Sequence, residues 1–225
     1  MKFVISVFFA LTLFVGNLSA QVIHIVTKES SLVFQVENKK VYQSYFGKKL
    51  NSVVGIEKLG NVFREAYPAF GDGGDREVAL IATHADGTMA TDLRYVDYKQ
   101  TSVGNIQSTI IQLKDEKKPF FVDLHFNAYQ EESVIEQWVT IRQEENGSVK
   151  MAQYASSTIG FMADSYYLTH FYGAWAREMR VIEEPLVSGI KSIETKRGIR
   201  ATEFENPSFI LSLNQPASED NGEVV

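Results

Sequence analysis

The chain has 225 residues, 44% hydrophobic, 12% aromatic and 22% charged, with 15 glycines and 5 prolines, enough apolar side chain for a packed core and too much for wholesale disorder. Against 28 acidic residues stand 22 basic ones, a formal net charge of −6 with no Lys/Arg run longer than two, so the phosphate-neutralising footprint of a nucleic-acid binder is missing. Cysteine is absent, which excludes disulfides, thiolate metal ligands and a cysteine nucleophile together.

Met1 and Lys2 precede an apolar run from Phe3 to Val15, followed by Gly16, Asn17 and the small residues Ser19 and Ala20. A positive end, a short apolar centre and a small-residue exit describe a secretory signal over residues 1–20, cut after Ala20, and place the mature chain in the periplasm or outside the cell. The run is too short to span a bilayer, which takes about 20 residues, and no membrane span is expected elsewhere. From Gln21 onward the dominant hydrophobic period is two. Residues 22–26, 32–36 and 41–46 read as three successive strands, and 78–83, 106–113, 120–126, 134–142, 150–161, 190–195 and 209–213 bring the expectation to about ten. Turn chemistry marks the joints at Glu37-Asn38, at Ala85-Asp86-Gly87-Thr88 and at Glu145-Asn146-Gly147-Ser148; the Asn-Gly pair predicts a hairpin joining the strands of Trp138 and Met151. Between these strands, residues 55–66 place Ile56, Leu59, Val62 and Phe63 at helical spacing, a short helix or an ordered loop. The expected fold class is all-β, a large antiparallel β-sandwich in one domain over 21–225. The acidic, turn-rich tail stops where a new strand begins, at Glu223-Val224-Val225, which suggests a truncated chain.

No nucleophile elbow, phosphate loop, dinucleotide fingerprint or His pair at metal spacing is present. The four histidines, His24, His84, His125 and His170, are scattered among strands without the clustered partners a metal needs, and no cofactor is expected. The acidic pairs Glu131-Glu132, Glu144-Glu145 and Glu183-Glu184 read as solvated loops, because neighbours on a strand face opposite ways, whereas a glycosidase converges two carboxyls about 5–10 Å apart. Two segments carry binding chemistry. In Glu65-Ala66-Tyr67-Pro68-Ala69-Phe70-Gly71-Asp72-Gly73-Gly74-Asp75-Arg76-Glu77 the glycines permit tight turns, and the aspartates and Arg76 offer acceptors and a forked donor to a ligand hydroxyl; the alternatives are an acidic turn held by an internal ion pair of Asp75 or Asp72 with arginine, or a calcium-like loop that lacks the alternating oxygen ligands and closing Glu of an EF-hand. In residues 163–178, Tyr166, Tyr167, Phe171, Tyr172 and Trp175 accompany Asp164, His170, Arg177 and Glu178, flat apolar faces beside charged groups, which suits a sugar as well as it suits core packing.

At these segments the chain resembles glycoside hydrolase family 36, the alpha-galactosidases. The residues that carry the likeness are Tyr67-Pro68 with Gly71 and Arg76, Thr91-Asp92-Leu93-Arg94-Tyr95, Gly173-Ala174-Trp175 with Arg177-Glu178, Pro185-Leu186 with Gly189, and Asn206-Pro207, in the family's order over nearly the whole mature chain. The resemblance implies the N-terminal sandwich of an enzyme whose catalytic aspartates lie in a (β/α)8 barrel beyond Val225, and nothing here matches that barrel's Lys-Trp-Asp motif, so no catalytic residue is assigned. The family's Asp and Pro around the loop arginine are replaced here by Gly74 and Val78, with the Asp displaced to Asp75. Tyr166, Trp175, Asp75 and Arg76 are the substrate-binding candidates that follow. The expected partners are a galactoside oligosaccharide, the chain's own C-terminal barrel and further copies of the chain; the rival reading is a free-standing carbohydrate-binding or structural sandwich.

Overall fold

The computed structural model describes residues 21–59, 64–72, 77–161, 165–195 and 204–218. Strands dominate, and the described chain divides into two compact units, meeting in sequence between Ile159 and Gly160. The first opens with a meander of β1 (Gln21–Val26), β2 (Ser30–Glu37) and β3 (Lys40–Lys48). Asn38 and Lys39 both take positive φ, 50° and 61°, between the paired Glu37 and Lys40; this is the two-residue turn whose twist matches that of the strands it joins. After a 3-10 turn at Ile56–Leu59 come β4 (Leu80–Thr83), then β5 (Leu93–Val103), β6 (Ile106–Asp115), β7 (Phe120–Tyr129) and β8 (Val134–Gln143), and finally β9 (Lys150–Tyr154). Strands β5 to β8 form an antiparallel sheet in sequence order, while β9 pairs back with β4.

Alternation decides which face is covered. On β7, Phe120, Val122, Leu124, Phe126 and Ala128 are buried, and the residues between them are half-exposed. The buried set joins Ile23, Ile25, Leu32 and Phe34 of the meander and Leu80 and Ala82 of β4 in one apolar cluster, with the Phe34 and Phe126 rings 5.2 Å apart. Each such side chain contributes about 1.5–3 kcal/mol on leaving water, and this layer of inward residues from facing sheets is what makes the unit a sandwich.

The second unit is a three-stranded antiparallel sheet with β10 (Tyr166–Ala174) between β11 (Arg177–Pro185) and β12 (Phe204–Leu213). Several sequence expectations change. Strands β5, β10 and β11 were not among the predicted ones, residues 190–195 form no strand, and the run at 150–161 stays paired only through Tyr154. Strands β8 and β9 do not form the predicted hairpin; they lie in different sheets. The cause is Glu145, whose carboxylate accepts from His84 Nδ1 (2.6 Å) and from the Ala85 backbone amide (2.9 Å), so the Asn-Gly turn is drawn toward the end of β4 and hands the chain to that strand.

Candidate functional site

Tyr166 opens β10, in register with Leu213 of β12. Its ring is half-buried and meets Phe161 edge-on at 6.4 Å, and burial raises its phenol above the ordinary range. Trp175 follows the other end of the same strand, in the tight turn to β11 where Ala176 takes φ 59°. The indole is 86% exposed, which excludes a core role for it within the described residues. The two residues are nine positions apart, about 30 Å at the rise of a strand. The structure therefore does not bring Tyr166 and Trp175 to one sugar ring. Asp75, Arg76 and Asp164 lie outside the described residues.

Sequence reasoning set His170 in the aromatic segment without naming its partners; it stands in the middle of β10. It is buried, with Nδ1 3.3 Å from Glu205 Oε2 and Nε2 3.4 Å from Glu184 Oε1. Glu184 is also held at 2.5 Å by Lys191, whose ammonium keeps that carboxyl below its usual range. The imidazole thus hydrogen-bonds to Glu205 of β12 and stands within ion-pair distance of Glu184 of β11 without a hydrogen bond to it. Glu183 and Glu184 belong to β11 and Glu145 is buried against His84, so two of the three acidic pairs depart from the solvated-loop expectation. Among the described residues no cluster of three or more His, Asp or Glu side chains is disposed to hold a metal ion.

In the first unit the Tyr-Pro segment is framework. Tyr67 is buried and donates its hydroxyl to the Ala155 carbonyl at 2.8 Å, and Ala69 forms a parallel bridge with Leu80. These contacts deliver Gly71 and Asp72 to a buried charge cluster centred on Lys40. Its ammonium sits 2.8 Å from Glu65, 3.1 Å from Asp92 and 3.9 Å from Asp72, and Arg94 caps Asp92 at 2.6 Å. Among the described residues Asp72 meets a lysine from β3, while Arg76, the loop arginine considered from the sequence, lies outside them. Burial pulls the Lys40 ammonium down, but its carboxylate neighbours outweigh it and raise it overall. Glu65 goes the other way: burial, aided by Asp72 alongside, outweighs Lys40 and pushes its carboxyl up to about 7.

A model of the glycosyl hydrolase family 36 N-terminal domain matches residues 39–225. The chain belongs to family 36. Alpha-galactosidase AgaA of Geobacillus stearothermophilus is 26% identical over 175 residues, 71% of this chain and 24% of that protein. The bifunctional alpha-galactosidase/sucrose kinase AgaSK of Mediterraneibacter gnavus is 25% identical over 162 residues, 66% of this chain and 17% of its own. Among solved structures, an AgaA variant in complex with stachyose superposes with a TM-score of 0.80 at 23% identity, covering 91% of this chain and 33% of that one. The alpha-galactosidase from Lactobacillus brevis gives 0.76 at 21%, covering 88% and 32%. The chain thus spans about a quarter of the length of the curated alpha-galactosidase AgaA.

The residues that carried the family 36 likeness divide into two kinds. Tyr67 and Thr91 are buried, and Thr91 bonds to His84 Nε2 at 2.8 Å, while Asp92 and Arg94 complete the Lys40 cluster; these hold the sandwich. Trp175 with Arg177 and Glu178 is exposed at a hairpin tip, where conformation alone does not require an indole.

Proposed function

We propose that this family 36 chain is the N-terminal part of an exported alpha-galactosidase, a retaining glycoside hydrolase that removes terminal α-linked galactose from galacto-oligosaccharides, with its catalytic carboxylates outside these 225 residues. The observation that carries the reading is the match to the family's N-terminal domain over residues 39–225, together with the quarter share of an alpha-galactosidase that the chain spans. A retaining mechanism needs two carboxyls about 5–5.5 Å apart, one as nucleophile and one as acid then base. Among the described residues the closely placed carboxylates, Glu65, Asp72 and Asp92, are committed to Lys40. The chain's part is to support and to bind: Tyr166 meets the sugar at one end of β10, Trp175 offers a stacking face at the other, and Asp75 and Arg76 supply hydroxyl partners. Residues 1–20 direct export.

Purified 225-residue protein should release no nitrophenol from a nitrophenyl α-galactoside, while the longer protein carrying a barrel releases it. Turnover by the 225-residue chain would overturn the reading. In the longer protein Tyr166→Ala should lower kcat/KM with little change in thermal midpoint, whereas a purely structural Tyr166 would lower the midpoint and leave the kinetics of the folded fraction intact.

A further inference from the structure

The outward face of the four-stranded sheet takes no part in the apolar core or in the Lys40 and His170 clusters. Because β7 and β8 alternate without a register break, Phe121, Asp123, His125, Asn127 and Tyr129 stand on the same side as Glu136, Trp138, Thr140 and Arg142. His125 and Trp138 are directly opposite each other, and their rings lie 4.8 Å apart and within 7° of parallel. The imidazole thus props the indole on one side. Trp138 remains 37% exposed, on the strand that closes the sheet.

The polar groups next to that indole are held in place by one another. Glu136 accepts from both the Asn127 amide and the Tyr129 hydroxyl, each at 3.1 Å, and Asn127 in turn accepts from Ser108 at 2.7 Å. On the other side Thr140 pairs across with Asp123. Glu136 and Thr140 each lie two residues from Trp138, about 7 Å along the strand, close to the breadth of a hexopyranose ring. The outward charges of β6, β7 and β8 are Lys114, Asp123, Glu136 and Arg142, two of each sign, and burial holds His125 below its ordinary range.

We infer that this face is a binding platform for a neutral oligosaccharide chain, with Trp138 as the stacking surface and Glu136, Asn127 and Thr140 as the groups that meet its hydroxyls. A flat ring suits the C–H face of a pyranose, fixed acceptors and donors suit its rim, and the balance of charge neither attracts nor requires an ionised ligand. A protein partner would call for a more apolar, charge-depleted centre, and a nucleic acid for a cationic one. The inference goes beyond the hydrolase reading and stands or falls without it, since no residue of the platform is given a part in hydrolysis.

Electrophoresis of the 225-residue chain in native gels cast with galactomannan, with polygalacturonate or with neither tests it. Retardation is expected in galactomannan only. Trp138→Ala should weaken the association by about tenfold or more, and Trp138→Phe, which keeps a flat ring, should recover part of it. Thr140→Arg, which faces Asp123 and so keeps the strand pair favourable, should block the face and carries the test if Trp138→Ala fails to fold. Equal retardation of wild type and variants, no retardation in galactomannan, or light scattering showing a dimer that Trp138→Ala dissociates would overturn the inference, the last by assigning the face to a second copy of the chain.

Discussion

A Cβ built on Gly71 would lie 2.6 Å from the Cα of Ala90, and the residue's φ of 95° is one that L side chains rarely adopt. Gly71→Ala should therefore destabilise the first unit by more than the roughly 1–2 kcal/mol of a left-handed backbone alone, because the obstructing atom is backbone; an unchanged thermal midpoint would refute this. Tyr67→Phe leaves the Ala155 carbonyl without its partner and should cost about 1–3 kcal/mol, measured by denaturant titration. Glu65 sets a pH dependence of unusual sign. Folded, it keeps its proton up to about pH 7, against 4.5 for the free group; across that window the folded state binds more protons, so this residue's contribution to stability falls as pH rises. The difference between wild type and Glu65→Gln should amount to about 3 kcal/mol at most across it, and a flat difference curve would remove the assignment. None of these roles was legible from residue type: the sequence displays a Gly/Asp-rich loop, but the lysine that collects its acids comes from the far end of a hairpin.

At the scale of elements, the two-residue period made most of the sandwich strands readable, since each buries one face against a facing sheet. Strand β5 escaped because its outer half is exposed on both faces and its hydrophobic alternation fades. Strands β10 and β11 escaped because their aromatics and acids resemble a binding segment. The hairpin predicted between β8 and β9 followed sound turn chemistry but lost to one long-range pair, His84 with Glu145. Glu145→Ala should leave a buried imidazole nitrogen and the Ala85 amide unpartnered, at about 1–3 kcal/mol. Hydrogen exchange should then quicken at Ala85 and along the β4–β9 pairing before it does on β6 or β7; uniform acceleration across the unit would mean that the pair steers nothing locally.

For the whole molecule, composition and periodicity made the all-β class legible, and ordered motifs made the family legible, because both are properties of the chain read in sequence. Division into two units was not, since it depends on which strands find partners across space. Export belongs to this scale as well: protein recovered from the periplasm or medium should begin at or near Gln21 on N-terminal sequencing, and an intact Met1 on that product would contradict it. The second unit places β10 between two later strands, one reached by a short turn and the other, β12, only after residues 186–203. On the ribosome the β10–β11 hairpin thus emerges with one row of backbone amides and carbonyls unmatched. That edge waits until Leu213 is made, roughly 1–6 s at about 5–20 residues per second, and during that interval a nascent neighbour's strand competes with β12 for the same hydrogen bonds.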